Sequence, residues 1–214
     1  MTTYIPSLTI PHEVFSSAAA SVLLPIALGT GVGFSTRRKF FIPAHSYAHL
    51  QSTEGLSLSA AKKTQDTYRL MKQPPLRPPP QVFGPVWTLL YGFMGYAAHR
   101  AITAGLNPLT STVGGVQTAK HAATLYTIQL GLNLAWMPLF FGLRKPVLAL
   151  ADIASLVGIN GYLTYLFFGL DETAGWLMVP YMAWLGFATY LNAGVGIVNN
   201  WKISDEDLLK GKNA

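Results

Sequence analysis

Long apolar stretches alternate with short polar segments along this chain. Lys, Arg, Asp and Glu are absent from 14–36, 78–99, 121–143 and 173–201, and 146–170 contains only Asp152. A helix needs about 20 apolar residues to cross a hydrocarbon core about 30 Å thick, whereas a surface helix of a soluble domain carries charge along one side. The pattern therefore predicts an all-α integral membrane protein, a bundle of five transmembrane helices.

The predicted spans fill most of the chain. They cover about 15–36, 82–104, 119–142, 146–169 and 174–200, which we interpret as a single membrane domain over 1–214. Charged residues make up 11% of the sequence, against about 25% in a typical soluble domain. The chain has no cysteine, which excludes disulfides, thiolate metal sites and cysteine nucleophiles. The bilayer is thus the first predicted partner.

Basic residues are divided unequally between the two ends of the predicted bundle. Thirteen of the 15 Lys and Arg residues lie in the loop 37–80, the 144–145 turn and the C-terminal tail, and two lie on the opposite side. This asymmetry predicts that the first loop and the C-terminus are cytosolic, and it does not indicate nucleic acid binding. The loop ends in a proline-rich segment that we expect to be extended, and we call residues 64–80 the strap, a candidate lid.

Three spans carry aromatic, polar and small residues at i, i+4 and i+7, a spacing that places them on one helix face. Amide side chains are costly in hydrocarbon and should face the interior. Converging aromatic and polar groups describe a pocket for a flat apolar ligand, although interhelical packing explains the same spacing. The residues are Gly84, Trp87 and Tyr91 in the second span, Gln129, Asn133 and Trp136 in the third, and Trp184, Ala188 and Leu191 in the fifth.

Several motifs on these spans resemble those of one membrane protein family. The second span contains Phe83-Gly84-Pro85-Val86-Trp87 and Tyr91, the third Gln129, Asn133 and Ala135-Trp136, and the fifth Pro180-Tyr181, Ala183-Trp184 and Leu191-Asn192. In content and order they are similar to the translocator protein family, which includes the tryptophan-rich sensory proteins and the peripheral-type benzodiazepine receptor. The resemblance covers about 74–200.

The resemblance implies a five-helix bundle that binds porphyrins, and in some members sterols and benzodiazepine-type ligands, in a pocket closed by the first loop. It implies no required cofactor, and eukaryotic members suggest the mitochondrial outer membrane, with the endoplasmic reticulum as alternative. Trp87 is also a candidate for photo-oxidative porphyrin breakdown. The pocket residues carried over by the resemblance are Phe83, Gly84, Trp87, Tyr91, Asn133, Trp136, Ala151, Trp184, Ala188 and Leu191.

The chain departs from the family pattern at several positions. Leucine replaces a family tryptophan at 76, 134 and 148, and the proposed sterol motif of the last span is missing at Ala193 and Ile197. Thr124 and Ile128 replace the small residues of a dimer contact, so a homodimer stays an open alternative. The role of the additional sequence at about 45–63 is not readable.

Other polar residues are weaker candidates. Asp152 could relay protons or bind a ligand cation, or it could bond to a neighbouring helix. His45 and His49 have no third ligand for zinc nearby, and His99 and His121 are more typical of interfacial solvation than of haem ligation. The resemblance favours tetrapyrrole binding for sensing, sequestration or transport. A slow light-dependent porphyrin-degrading enzyme and a lipid or sterol translocation scaffold are the alternatives.

Overall fold

The computed structural model describes residues 4–38 (backbone alone at 36–38), 71–109 and 111–201. Every regular element in these ranges is helical, which confirms the predicted all-α class. A 3₁₀ turn at Pro80–Val82 precedes α3, and a π-helical turn at Pro138–Gly142 follows α4. The helices are α1 (His12–Ser16), α2 (Ala18–Arg38), α3 (Phe83–Leu106), α4 (Val113–Met137), α5 (Pro146–Leu170) and α6 (Glu172–Val198).

Helices α2 to α6 correspond to the five predicted spans, and most of their bounds agree within three residues. The third differs most, since α4 begins at Val113, six residues before the predicted start at 119. The Thr112 hydroxyl oxygen accepts a hydrogen bond from the Gly115 N–H and caps the helix there. A threonine at the N-cap satisfies one of the free donors of the first turn, so the helix starts before its apolar part.

The first predicted span is preceded by a separate short helix. Ser17 is extended between α1 and α2, and the Ser21 hydroxyl donates to the Val14 carbonyl across the break. The turn lets α1 bury Phe15, which is 1% exposed and makes an edge contact with Tyr126. The segment before α2 therefore closes one end of the bundle.

Helix α3 lies at the centre, in contact with α2, α4 and α6, while α5 packs between α4 and α6. Helices α2 and α3 approach most closely at Gly95, where a Cβ atom would meet the backbone of Ser21 and Val22. Small residues allow such an approach between helices in a bilayer. Only glycine fits at this crossing without displacing backbone.

Within the described ranges, three helices are long and apolar enough to cross a membrane by length and composition alone, namely α2 over Ala18–Ser35, α5 and α6. Helices α3 and α4 have 24 and 25 residues, close to the 25 of α5. They include Arg100 and Lys120 near one end, which lowers their mean hydropathy. The result is a bundle of five long helices in the described part of the chain.

One ion pair ties two elements at the end opposite the strap. Arg100 Nε and Nη2 donate to the two carboxylate oxygens of Asp171 at 3.1 and 2.8 Å. Asp171 also caps α6 by accepting from the Ala174 N–H at 2.7 Å. The hydrogen bonds from Arg100 lower the pKa of Asp171 below its ordinary value, because they stabilise the ionised form. The carboxylate thus holds α3 against the α5–α6 turn.

Candidate functional site

Five aromatic side chains from α3 and α6 form one group, which we call the Trp87 cluster: Phe83, Trp87, Tyr91, Tyr181 and Trp184. The Trp87 ring lies 5.5 Å from Tyr91, 6.3 Å from Tyr181 and 6.4 Å from Trp184, measured between centroids. Phe83 meets Trp184 edge to face at 5.9 Å. These separations are within the range of favourable aromatic pairs. The predicted convergence of Trp87 and Trp184 is therefore present.

Burial within the Trp87 cluster increases towards the middle of the bundle. Tyr181 is fully buried and Tyr91 is 9% exposed, whereas Phe83, Trp87 and Trp184 are half-buried. Leu185 and Met178, one residue after Trp184 and one turn before Tyr181 respectively, fill the α6 side of the same core. The half-buried rings thus leave aromatic surface accessible, while the tyrosines point their hydroxyls inward.

The tyrosine hydroxyls belong to a buried hydrogen-bond chain that includes two amides of α4. Tyr91 Oη donates to Asn133 Oδ1 at 2.6 Å, and Asn133 Nδ2 donates to Tyr181 Oη at 2.9 Å. Tyr181 Oη in turn donates to Gln129 Oε1 at 3.2 Å. Buried polar groups are costly without partners. This chain of hydrogen bonds joins α3, α4 and α6 and holds the rings of the Trp87 cluster in place.

Trp136 lies elsewhere, in a second group with Phe140 and Phe141. Its ring stacks on Phe140 at 5.0 Å and meets Phe141 edge to face at 5.9 Å. Its Nε1 donates to Asn192 Oδ1 at 3.3 Å, and Asn192 Nδ2 donates to the Pro146 carbonyl. Within the described ranges Trp136 therefore supports the α4–α5 turn, one helical turn beyond Asn133, rather than the Trp87 ring.

The described part of the strap packs on this second group and on the end of α6. Met71 is 4% exposed and shares a buried cluster with Phe140, Ala149 and Val195. The Tyr190 hydroxyl donates to the Pro75 carbonyl at 2.7 Å. Asn199 Nδ2 donates to the Lys72 carbonyl at 2.8 Å, and the Pro74 ring covers Gly194. Side-chain donors thus satisfy the carbonyls of Lys72 and Pro75, which lie outside the helices of the described ranges.

The remaining predicted pocket residues are distributed over three helices. Gly84 is exposed, and a Cβ atom there would meet nothing within 4 Å. Leu191 is 8% exposed and Ala188 is half-buried on α6. Ala151 is exposed on α5, while its neighbours Asp152 and Ile153 are buried. Gly84 is therefore on an open surface of α3, and Ala151 is on an exposed position of α5.

The other polar candidates lie apart from the Trp87 cluster or outside the described residues. Asp152 is 8% exposed on α5, and its Oδ2 has no hydrogen-bond partner in the described ranges, so its relay role stays a prediction. His99 Nδ1 lies 2.7 Å from the Phe15 carbonyl, and His121 meets Tyr162. Within the described residues no group of His, Asp and Glu could hold a metal ion. His45, His49, the sequence at 45–63, the first part of the strap and the tail after 201 lie outside the described residues.

Sequence reasoning missed three residues that shape the site. Tyr181 is a partner of both buried amides, and Tyr190 and Met71 hold the strap. Tyr181 lies three residues before Trp184, so the helical spacing could have included it. Tyr190 and Met71 gave no such signal, because their roles depend on a contact between distant segments.

Comparison with known proteins now identifies the family of this bundle. The model of the TspO/MBR family matches residues 45–198. The chain belongs to the TspO/MBR family. This confirms the resemblance read from the motifs of the second, third and fifth spans. The family match includes the Trp87 cluster, the buried amides and the strap, and it excludes α1 and α2.

Individual relatives from a fungus, a bacterium and an animal are similar to this TspO/MBR chain. The translocator protein homolog of Schizosaccharomyces pombe is 45% identical over 145 residues, 68% of this chain and 85% of that protein. The tryptophan-rich protein TspO of Chlorobaculum tepidum is 39% identical over 126 residues, 58% of this chain and 74% of its own length. The human translocator protein is 37% identical over 126 residues, 58% of this chain and 70% of the human protein.

Proposed function

We propose that this TspO/MBR protein binds a flat hydrophobic ligand, most favourably a tetrapyrrole such as a porphyrin, against the Trp87 cluster. The observation that carries the proposal is the arrangement of half-buried Trp87 and Trp184 around buried Tyr91 and Tyr181. Large aromatic faces beside a few fixed polar groups are typical of small-molecule sites. Gly84, one turn before Trp87 on α3, has open space where a side chain would be.

The chemistry of the site matches an amphipathic macrocycle. A porphyrin has an extended π face that stacks on indole rings, and a stack of one base on one aromatic ring contributes about 1–3 kcal/mol. The amide and hydroxyl chain from Gln129 to Tyr91 keeps the phenol rings from rotating, so the ring surfaces are preorganised. Gln129 and Asn133 thus act in this proposal mainly by positioning the rings.

The strap serves as the lid in this proposal. Met71, Pro74 and Pro75 are already packed on α6 and the Trp136 group, within two to three turns of Trp184 along α6. A lid whose carbonyls are held by two side chains can open by breaking few contacts. Trp136 contributes through the strap and the α4–α5 turn rather than by stacking on the ligand.

The membrane setting of the proposal follows from charge and family. The excess of basic residues supports a cytosolic strap and C-terminus, and the eukaryotic relatives support the mitochondrial outer membrane, with the endoplasmic reticulum as alternative. An apolar ligand would dissolve in the bilayer before it reaches the protein, and it can then enter the site between helices. A sterol is the second ligand class to compare.

Quenching of tryptophan fluorescence by protoporphyrin tests the site, with the dissociation constant rather than the amplitude as readout. Trp87→Ala and Trp184→Ala should each weaken binding by about tenfold or more, since a lost stack of about 1.4 kcal/mol equals a factor of ten. Trp176→Ala is the matched control, because Trp176 is 61% exposed and packs on Phe168 at the other end of α6. Unchanged affinity in both site variants would refute the proposal.

The alternative function is slow, light- and oxygen-dependent breakdown of the bound porphyrin. Two phenols within 6.3 Å of Trp87 favour it, because a nearby tyrosine can return an electron and a proton to an oxidised indole. Illumination of the complex in air should then yield a bilin-like product in wild type and less in Trp87→Phe. An identical product yield in both proteins would leave ligand binding as the function.

A further inference from the structure

Three buried polar atoms on two neighbouring helices have no hydrogen-bond partner in the described part of the chain. They are Tyr126 Oη and Gln129 Nε2 on α4 and Asn160 Oδ1 on α5. The three residues are at most 1% exposed, and neither lipid nor bulk water reaches them. Buried polar atoms in native proteins almost always have a partner, which is often an ordered water molecule.

Two contacts set the register of α4 against α5. Ala119 of α4 and Leu170 of α5 both lie beside Gly105, and Phe140 and Ala149 share a buried cluster at the other end. The two helices are joined by a short turn and run antiparallel, so equal steps from a facing pair remain at the same level. Ten residues from Ala119 lead to Gln129, and ten residues back from Leu170 lead to Asn160.

The helix faces agree with this register. Tyr126, Gln129 and Asn133 lie on one buried face of α4, and Asn160 lies on the buried face of α5 with Leu156 and Leu163. Tyr126, Leu156 and Leu163 belong to one core cluster. Tyr126 and Gln129 are one helical turn apart and face the same interior.

The unpaired atoms are chemically complementary to a single water molecule. Asn160 Nδ2 donates to the Leu156 carbonyl at 2.9 Å, which leaves its Oδ1 as an acceptor. Gln129 Oε1 accepts from Tyr181, which leaves its Nε2 as a donor. The Tyr126 hydroxyl can donate or accept. A buried water typically makes about three hydrogen bonds, and here it would find a donor, an acceptor and a group that can be either.

We propose that a buried water molecule is bound between α4 and α5, where it joins Tyr126 Oη, Gln129 Nε2 and Asn160 Oδ1. This water extends the chain of hydrogen bonds that begins at Tyr91 and passes through Asn133, Tyr181 and Gln129. The chain of hydrogen bonds then ends at the Leu156 carbonyl of α5. A consequence that rests on the proposed function is that Asn160 becomes a positioning residue for the Trp87 cluster, although it lies on another helix.

A double-mutant cycle on thermal unfolding in lipid nanodiscs tests the shared water without any ligand. Tyr126→Phe and Asn160→Val each remove one partner, and their losses in Tm should be clearly less than additive when combined, because the first loss already weakens the water. Asn160→Thr has the shape of Asn160→Val but keeps a hydroxyl that can bond both the Leu156 carbonyl and the water. It should recover at least half of the loss.

Ser155→Ala is the control for the cycle, since it also removes a hydroxyl from α5, but this hydroxyl is on an exposed residue and donates to the Ala151 carbonyl. Its effect should add to that of Tyr126→Phe. Additive losses for Tyr126→Phe with Asn160→Val, or equal Tm for Asn160→Val and Asn160→Thr, would overturn the proposal.

A high-resolution experimental structure of the wild-type protein gives the direct test, which does not depend on variants that fold. Density for one water within about 3.2 Å of the three atoms is the expected result, and a dry or side-chain-filled space contradicts it. For the positioning role, the protoporphyrin dissociation constant should rise at least threefold in Asn160→Val and return in Asn160→Thr. If the water is present but no protein variant binds porphyrin, the proposed function fails and the water site stands.

Discussion

Substitution of Gly194 by alanine should release the strap from α6. A Cβ atom at this position would lie 2.6 Å from Pro74 Cβ and 2.7 Å from Pro74 Cγ. Carbon atoms prefer a separation of about 3.5–4.0 Å, so one side must retreat by about 1 Å. The proline ring is rigid and α6 is a packed helix, so the strap is the part that moves.

The cost can be worked out from the contacts that hold the described part of the strap. The bonds from Tyr190 to the Pro75 carbonyl and from Asn199 to the Lys72 carbonyl contribute about 0.5–1.5 kcal/mol each. Burial of Met71, which is 4% exposed, contributes about 1.5–3 kcal/mol. A shift of 1 Å that forfeits half of this total costs about 2 kcal/mol, or about a 30-fold loss of the docked state.

Limited trypsin digestion of the protein in nanodiscs measures this loss. Cleavage after Lys72 requires the strap to leave α6, and Arg77 is followed by proline, which resists trypsin. A new N-terminus at Gln73 should therefore appear at least tenfold faster in Gly194→Ala than in wild type, by mass spectrometry.

Gly186→Ala provides the control, because it is the same substitution in the same helix. A Cβ atom at Gly186 meets nothing within 4 Å, and the gain in helix propensity is the same. Its cleavage rate after Lys72 should match that of wild type. Equal rates for the Gly194 and Gly186 variants would refute the reasoning, since they would show that the Pro74 contact does not hold the strap.

Two further predictions concern the bundle itself. Gly95→Ala forces a Cβ atom onto the Ser21 backbone and should destabilise the protein by about 1–3 kcal/mol or more. Gly92→Ala is the control, because a Cβ atom there meets open space and should not destabilise the protein. Equal Tm values for the two variants would contradict this prediction. Arg100 lowers the pKa of Asp171, so the ion pair contributes its full stability to the folded protein above the unfolded pKa of about 3.9. This contribution is lost as the pH falls through the pKa that Asp171 has in the folded protein. Wild-type Tm should therefore drop more steeply than that of Asp171→Asn between pH 5 and pH 2, and parallel curves would exclude this role.

Trp87 and Trp184 meet as predicted. Trp136 was predicted to join them, but its ring contacts Phe140 and Phe141 instead. Helical spacing places a residue on a face of its own helix, but it does not give the rotation or depth of that helix relative to the others. Trp136 is on the same face as Asn133, yet it lies one turn further along α4, where Phe140 and Asn192 are its partners.

The strap shows a different gap between sequence and structure. Its prolines predicted an extended segment, and that follows from the fixed φ angle of proline. The contacts of Met71 and Pro75 with α6 join residues more than 100 positions apart. No local pattern reports such a contact.

The sequence by itself determined the membrane class, the five helical spans and the family, because charge-free length and short motifs are local properties of the chain. The tertiary structure alone decided which aromatic rings meet, that Tyr181 connects the two buried amides, and that polar atoms of Tyr126, Gln129 and Asn160 are buried in the core. These outcomes depend on how helices rotate and shift as their side chains interlock. That packing is a sum over the whole bundle, and no single segment encodes it.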